Sequence, residues 1–574
     1  MEGLVQCSAN YIALSPISFL ERAAIVYGDE VSVIYGSAKT SWRETYERCV
    51  KLASALVLHL GISPGDTVAA FSPNVPALYE LHFGVPMAGA VLSALNTRLD
   101  SPMLALLLEQ LEPKIIFVYQ ELVEVVDKAL NILSERKSKP PQLVLIPENY
   151  DQTSSSTLTE TPADSLDYNG LLAIGKADFE TIRPNNECDP ISVNYTSGST
   201  GIPKGAIYSH RAAYLNSIAA IFRTDMKQMS VFLWTVDMFR CNGWCFTWAM
   251  AAVGGTNIFL RTEVLSAHLI FEAIDIHKVT HFCGAPTILN IIADAPASHQ
   301  RRPLPSRVDI IVAGALPAPQ VLMRVTELGF NLSHGYGMTE ALGPAVVVPW
   351  EPRLQYSTKS DEQTEITKLC EGTHNLLMDG VDVKDPKTMK SIPYDGKTIG
   401  EVMFRGNALM LGYLKNSKAG QEAFRGGWYH TGDIAVRHPD GCIQMKDRAK
   451  DVIISSGGEA ISTIEVEAVL RSHPKVSEAA VVGRANDDDD DLQAAGKTPF
   501  AFVELKKMIS DACTAEEIIK FCEDRLPKYM VPQSVVFGDI QVTSTGKIQK
   551  FVLREKVKAM GSGSGMADLQ DGIQ

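Results

Sequence analysis

An apolar strand at residues 191–193 runs into Tyr195-Thr196-Ser197-Gly198-Ser199-Thr200-Gly201-Ile202-Pro203-Lys204-Gly205, and a helix-like stretch, 211–222, follows. Strand, glycine- and hydroxyl-rich loop, then helix is the order of an α/β unit that presents its loop at the end of a sheet. Successive glycine and hydroxyl positions give closely spaced backbone N–H donors, and Lys204 adds a point charge, which is how a loop cradles a polyphosphate. The spacing from glycine to lysine is not that of a Walker A loop, and Pro203 stands where such a loop would open its helix. A flexible linker would not be expected between a buried strand and a helix.

The same alternation extends through most of the chain. Residues 41–60 carry apolar positions at helical spacing (Cys49, Leu52, Ala53, Ala55, Leu56) and stop near Gly61; a strand at 68–71 ends in a turn at Pro73 and Pro76. A leucine-rich helix at 103–111 precedes a strand at 115–119, and a second run over 207–347 holds strands at 231–235, 256–259 and 310–312. The pattern predicts an α/β protein with parallel sheets in packed layers. Residues 137–169 read as a surface excursion around one strand, 143–146, and 356–373 as charged and partly helical, while 400–413 and 441–445 read as β-hairpin material.

The last change comes at Lys446-Asp447-Arg448-Ala449-Lys450-Asp451, after which a small unit is expected: a helix at 464–471, strands at 479–482 and 500–504, and a helix at 515–525. The expected organisation is a large N-terminal domain, 1–446, of packed α/β subdomains with a β-rich subdomain, a small mobile C-terminal α+β domain, 447–560, and a flexible Gly/Ser-rich tail, 561–574. The acidic run 487–491 reads as a solvated loop.

With 574 residues, 45% apolar and 21% charged, the chain has the composition of a large soluble enzyme. Lysine plus arginine is 53 against 67 acidic residues, a net charge of −14, which argues against a nucleic-acid partner and leaves room for a local basic site for a phosphate ligand. Ten scattered cysteines point to a reducing compartment, and the close pair Cys241 and Cys245 has no second pair with which to build a zinc site. The N-terminus does not resemble a secretory signal, and the longest apolar stretch falls short of the ~20 residues of a membrane span.

The glycine-rich segment resembles the phosphate loop of the adenylate-forming superfamily, which groups acyl-CoA synthetases, luciferases and peptide-synthetase adenylation domains. Further segments resemble its motifs in order: Gly335-Tyr336-Gly337-Met338-Thr339-Glu340, then Trp428-Tyr429-His430-Thr431-Gly432-Asp433, then the hinge Asp447-Arg448-Ala449-Lys450-Asp451, then Ser544-Thr545-Gly546-Lys547. The wider text, Glu80-Leu81-His82-Phe83-Gly84-Val85-Pro86-Met87-Ala88-Gly89-Ala90-Val91 and Gly400-Glu401-Val402-Met403-Phe404-Arg405-Gly406-Asn407, is most similar to plant acyl-activating enzymes of the benzoate, cinnamate and short-to-medium-chain fatty acid group.

The resemblance implies an ATP- and Mg²⁺-dependent carboxylate-CoA ligase that forms an acyl-AMP and then an acyl-CoA. It assigns the nucleotide to Thr196, Ser197, Gly198, Ser199, Thr200, Gly201, Lys204 and Gly337, with Gly314, Ala315 and Tyr336 at adenine. Thr339 is assigned to the α-phosphate, Glu340 to Mg²⁺, and Asp433 and Arg448 to the ribose. Lys547 would stabilise charge in the adenylation transition state. Rotation of the C-terminal domain about Lys450 would exchange the adenylation and thiolysis faces and bring Gly457 and Gly458 to the pantetheine of CoA. Phe239, Arg240, Cys283 and Gly284 would line the acyl pocket.

The chain departs from the family pattern in several places. Arg240 stands where relatives of this type usually have histidine; it would bind a polar acyl group, reach a phosphate, impair the gate or play a structural part. Cys283 stands where glycine is expected, which would narrow the pocket. The segment Val452-Ile453-Ile454-Ser455-Ser456-Gly457-Gly458-Glu459-Ala460 carries an extra serine and Ala460 for the usual asparagine, and 489–495 lacks a tryptophan-glycine pair. A weakly active or inactive relative that binds nucleotide or acyl ligand, or an acyl-AMP ligase without CoA transfer, is therefore the alternative. The expected partner is a small carboxylic acid, the expected state a monomer or weak homodimer. From the short stretch after Lys547 no carrier domain is expected. The chain does not end in a peroxisomal tripeptide, so the expected location is cytoplasmic, or peroxisomal if Gly561-Ser562-Gly563-Ser564-Gly565 introduces a replaced end.

Overall fold

The computed structural model describes residues 3–5, 7–148, 166–196, 202–260, 264–300, 303–314, 317, 319–349, 368–369, 376, 378–457, 459–485, 497–506, 513–542 and 548–560. A seven-stranded sheet runs in the order Gly412–Tyr413, Gly205–Ser209, Pro190–Tyr195, Val91–Ala94, Thr67–Phe71, Ile115–Tyr119, Gln142–Ile146. Its last five strands are parallel, and the first two add antiparallel at the edge. Every residue of Ile115–Tyr119 is buried, as expected of a parallel strand covered by helices on both faces.

An eight-stranded sheet follows the order Gly343–Pro349, Asn331–Met338, Asp309–Ala313, His281–Gly284, Val231–Leu233, Thr256–Phe259, Val31–Tyr35, Ala38–Ser41. It too is parallel except at its two edges. A five-stranded antiparallel sheet (Lys368–Leu369, Ile443–Arg448, Tyr429–Arg437, Ile399–Gly406, Met378–Lys384) supplies the β-rich part. Lys368–Leu369, in a stretch read as charged and partly helical, is strand; most of that stretch lies outside the described residues.

The helix expected over 41–60 spans Trp42–Leu58, started by Ser41, whose hydroxyl accepts from Glu44 N–H while the Glu44 carboxylate accepts from Ser41 N–H. The expected turn at Pro76 is instead the first turn of a helix, Pro76–Met87. Proline at that position gives up an N–H that would have no helical partner. All twelve residues of this helix are buried, so no amphipathic stripe marks it in the sequence.

In the small C-terminal unit Lys497–Leu505 is the central strand, paired with Val476–Ala485 on one side and Ser534–Phe537 on the other, and helices Thr463–Arg471, Ala515–Glu523 and Lys550–Met560 pack on this sheet. It has its own apolar centre around Val466, Leu470, Val481, Val503 and Ile518. The expected α/β fold with a small C-terminal unit is therefore present. The strand Ile443–Arg448 runs through position 446, pairing Ile434 with Asp447 and Asp433 with Arg448. Among the described residues no helix is long and apolar enough to cross a membrane.

Candidate active site

Thr196 and Lys204 close the neck of the glycine-rich loop: Thr196 N–H donates to the Lys204 carbonyl at 2.9 Å and Lys204 N–H to Thr196 Oγ1 at 3.2 Å. The loop itself, Ser197, Gly198, Ser199, Thr200 and Gly201, lies outside the described residues, as do Ala315, Gly458 and Lys547. The Lys204 ammonium lies 4.9 Å from the centre of the Tyr413 ring, and Tyr413 Oη donates to Glu340 Oε1 at 2.7 Å. Tyr208 Oη donates to the Thr339 carbonyl at 2.6 Å, and Met410 N–H to the Glu340 carbonyl at 2.9 Å. Thr339 is thus fixed to the strand that returns from the loop, and Glu340 to the segment 410–413, whose end pairs with that strand. Tyr208 and Tyr413 are residues that the sequence reading missed, and nothing local marks them.

The second group lies on the antiparallel sheet. Tyr336 Oη donates to Asp433 Oδ2 at 2.6 Å, and Arg448 Nε meets Asp433 Oδ1 at 2.7 Å. Burial, followed by the Asp433 charge, pushes the Tyr336 phenol well above its usual range, so it stays a donor. Burial pulls the Arg448 guanidinium down, but Asp433 and its neighbours outweigh this and leave it raised. Glu340 follows Tyr336 by four residues, just past the end of the strand Asn331–Met338, so the two groups share one segment. Gly337 lies where a Cβ would come within 2.0 Å of the Gly343 carbonyl; only glycine fits that crossing. Gly314 follows the strand Asp309–Ala313, next to Gly335 in register with Ala313.

The stretch 241–245 is a left-handed turn. Cys241, Asn242, Gly243, Trp244 and Cys245 have φ of 50°, 46°, 60°, 53° and 66°, a run costly for residues with a Cβ. The strand before the phosphate loop holds it: Asn194 Nδ2 and Ser192 Oγ both donate to Asn242 Oδ1 at 2.6 Å, and Asn242 N–H donates to Asn194 Oδ1 at 2.9 Å. Arg240 Nε meets Asp237 Oδ2 at 2.9 Å, and Arg98 Nη1 reaches the same oxygen at 2.9 Å. Both guanidiniums lie over the Phe239 ring, at 5.4 and 5.9 Å. The Arg240 charge is thus met within the fold, which favours the structural part among the roles considered for it. Cys283 and Gly284 end the strand His281–Gly284; the Cys283 thiol is fully buried, and burial raises it well above its usual range.

Beyond Arg448 the chain turns at Lys450, an exposed residue whose ammonium is lowered by burial of its surroundings despite Asp451, with Arg448 and Lys204 among the charges acting on it. Asp451 pairs with Arg554 of the last helix. Asp447 Oδ2 accepts from Thr463 N–H at 2.6 Å, joining the sheet to the first helix of the C-terminal unit. Gly457 is exposed, with its N–H on Ser455 Oγ, and the described contacts do not join it to the nucleotide groups.

Residues 20–414 match the AMP-binding enzyme family, and 465–547 match the AMP-binding enzyme C-terminal domain. The chain belongs to the AMP-binding enzyme family. An acetate–CoA ligase of Humulus lupulus is 46% identical over 98% of both chains, and a peroxisomal acetate/butyrate–CoA ligase of Arabidopsis thaliana is 44% identical over 98% of this chain and 97% of the relative. The fold is similar to that of the anthranilate CoA ligase AuaEII, solved with anthranoyl-AMP: TM-score 0.78, 20% identity, 97% of this chain and 100% of that one. This enzyme is accordingly an acid–thiol ligase of the AMP-forming type, a class that uses ATP, Mg²⁺ and CoA.

The residues present fit such ligands. Asp433 spends one lone pair of each oxygen on Tyr336 and Arg448 and keeps others for two hydroxyls. Glu340, with Oε1 oriented by Tyr413, offers the single carboxylate with which Mg²⁺ is often held when phosphates and water complete its octahedron.

Proposed function

We propose that this enzyme activates a monocarboxylic acid of short to medium chain, or a benzoate- or cinnamate-like aromatic one, as its acyl-AMP and transfers the acyl group to CoA. The reading rests on one observation: the Lys204–Tyr413–Glu340 chain and the Tyr336–Asp433–Arg448 group are joined by one segment, 336–340, so groups suited to phosphate and groups suited to ribose lie on the same stretch of chain. The names of the plant relatives, acetate and butyrate ligases, support the short-chain end of the range.

A carboxylate is a poor acyl donor because oxide is a poor leaving group. Attack of the carboxylate oxygen on the α-phosphorus of ATP expels pyrophosphate; attack of the CoA thiolate on the acyl carbon then expels AMP. In this reading Thr196, Lys204 and the loop Ser197, Gly198, Ser199, Thr200 and Gly201 hold the outer phosphates, and Thr339 holds the α-phosphate. Gly314, Ala315 and Tyr336 bound the adenine slot, Gly337 also meets the nucleotide, and Asp433 with Arg448 fixes the ribose. Bound by Glu340, Mg²⁺ supplies charge neutralisation at the phosphates. Lys547 adds a cation beside the meeting oxygens, and Phe239, Arg240, Cys283 and Gly284 wall the acyl pocket. Domains at 1–446 and 447–560, hinged at Lys450, let one site serve both half-reactions, with Gly457 and Gly458 passing the pantetheine.

We further infer a monomer or weak homodimer that binds no nucleic acid. The peroxisomal Arabidopsis relative favours the peroxisome over the cytosol as the location.

Pyrophosphate release across a panel of acids, with and without CoA, tests the reading. Release with at least one short acid is expected; none with any acid would overturn it in favour of a nucleotide-binding relative, and release without a CoA ester would make the protein an acyl-AMP ligase.

A further inference from the structure

Tyr413 touches two groups of opposite charge. Its hydroxyl donates to Glu340 Oε1 at 2.7 Å, and the Lys204 ammonium lies 4.9 Å from the centre of its ring, the setting of a cation held by an aromatic face. Burial, followed by the Glu340 charge, pushes the phenol above its usual range, so it stays a donor. Among the described residues Lys204 and Glu340 form no ion pair with each other. A lysine and a glutamate free to meet would neutralise one another. Each is instead engaged by a different part of one neutral side chain, and each keeps its charge for a ligand.

The backbone holds this tyrosine in place. The strand Gly412–Tyr413 pairs antiparallel with Gly205–Ser209, with Tyr413 opposite Ala206. On either side of it Leu411 N–H donates to the Ile207 carbonyl at 2.8 Å and Leu414 N–H to the Gly205 carbonyl at 2.7 Å. Glycine at 205 lets this edge come close, because a Cβ there would lie 2.9 Å from Val193 Cγ1 and 3.3 Å from Leu414 Cβ. Tyr413 is therefore tied to the chain just after Lys204, and Lys204 to Thr196 across the neck of the loop. Met410 N–H, of the same segment, holds the Glu340 carbonyl, so 410–413 sets both the backbone and the side chain of that glutamate.

We propose that Tyr413 is a positioning residue for metal and phosphate together: its hydroxyl orients the Glu340 carboxylate that takes Mg²⁺, and its ring holds the Lys204 ammonium that meets the phosphates. This rests on the assignment of Glu340 and Lys204 in the proposed function and adds the residue that couples them. An ionised carboxylate has about four lone-pair sites, so one hydroxyl leaves room for a cation. Mg²⁺ demands near-ideal octahedral geometry, and a glutamate free to turn about its side-chain bonds would have to be ordered as the ion binds. A hydrogen bond already made in the fold removes part of that cost, and carboxylates that hold metals are commonly fixed in this way.

The test reads binding rather than turnover, on the full chain, with α,β-methylene-ATP, which cannot be cleaved at the bond that adenylation breaks. Calorimetric titrations with Mg²⁺ and with EDTA give two affinities, and their ratio measures what the metal contributes. Tyr413→Phe keeps the ring and loses the hydroxyl; it should cut this ratio by about tenfold or more and leave metal-free binding within about twofold. Tyr413→Leu loses the ring as well and should also weaken metal-free binding, by about fivefold. In a Glu340→Gln background Tyr413→Phe should change the ratio no further, since the group it acts through is gone. A packing role for the hydroxyl would weaken binding equally with and without metal, and that outcome overturns the inference. A ratio lost in Glu340→Gln but kept in Tyr413→Phe overturns it too. A wild type whose affinity is independent of Mg²⁺, or a ratio that Glu340→Gln leaves in place, defeats the Mg²⁺ assignment of the proposed function instead, so the two failures are distinct.

Discussion

Tyr336 donates its phenolic hydrogen to Asp433 at 2.6 Å, joining the parallel sheet to the antiparallel one across 97 residues of sequence. Arg448 takes the other carboxylate oxygen at 2.7 Å. Asp433→Asn keeps the shape but removes the charge that faces Arg448. The Asp433 side chain is 7% exposed and that of Arg448 is 38% exposed, so water screens part of the loss, and the cost in stability is about 1–2 kcal/mol. If Asp433 holds the ribose, the Michaelis constant for ATP should rise by at least about tenfold, since one of its two acceptor oxygens becomes a donor. Titration calorimetry with ATP and a thermal melt check both; an unchanged ATP affinity would remove Asp433 from the nucleotide site.

Asn194→Ala removes two hydrogen bonds to Asn242 and with them the clamp on five left-handed residues. Loss of about 2–3 kcal/mol is expected in urea unfolding, because the buried Asn242 N–H loses its acceptor and Asn242 Oδ1 keeps only the Ser192 hydroxyl. Asn194→Asp, which still accepts from Asn242 N–H but sets a buried carboxylate against Asn242 Oδ1, should recover none of it. If Asn194→Ala is neutral, the turn is held by other contacts.

Three histidines, His82 and His210 buried and His334 half-buried, set a pH dependence. Burial pulls His82, His210 and His334 from 6.5 to about 4. Above pH 6.5 they are neutral whether the chain is folded or not, and their stabilising share is fully present. As the pH falls below 6.5 the unfolded chain takes up protons that the fold refuses, so this share is lost progressively toward pH 4. The urea midpoint should be lower at about pH 5 than at about pH 7.5. A midpoint that rises on acidification would contradict these environments.

The order of strands and helices around the phosphate loop was legible because each element announces itself locally: an apolar run such as Ile115–Tyr119, or the Ser41–Glu44 cap of Trp42–Leu58. Pro76–Met87 was not, since a helix buried on every side has no periodic stripe and its proline reads as a turn. In the site, the motif positions Thr339, Glu340, Tyr336, Asp433 and Arg448 were legible through resemblance. What holds them was not. Tyr413 meets Glu340 from 73 residues away, a contact that arises only once two sheets pack. Arg240 shows the same limit from the other side, because its meaning turned on Asp237 and Arg98, and only the fold shows that Arg240 and Arg98 reach the same Asp237 oxygen.

Lys547→Ala should reduce acyl-adenylate formation by about 10²–10³, the scale of one preorganised charge at a transition state, while a supplied acyl-adenylate is still converted to its CoA ester. Single-turnover assays of each half-reaction separate the two. An equal loss in both would contradict the division of labour across the hinge at Lys450.

The central claim is that the carboxyl group passes through AMP on its way to CoA. Quantifying nucleotide and thioester products together in one reaction of ATP, CoA and an accepted acid tests it most directly. The account predicts AMP and acyl-CoA in equal amounts, with pyrophosphate; ADP with phosphate, or AMP without the thioester, would contradict it.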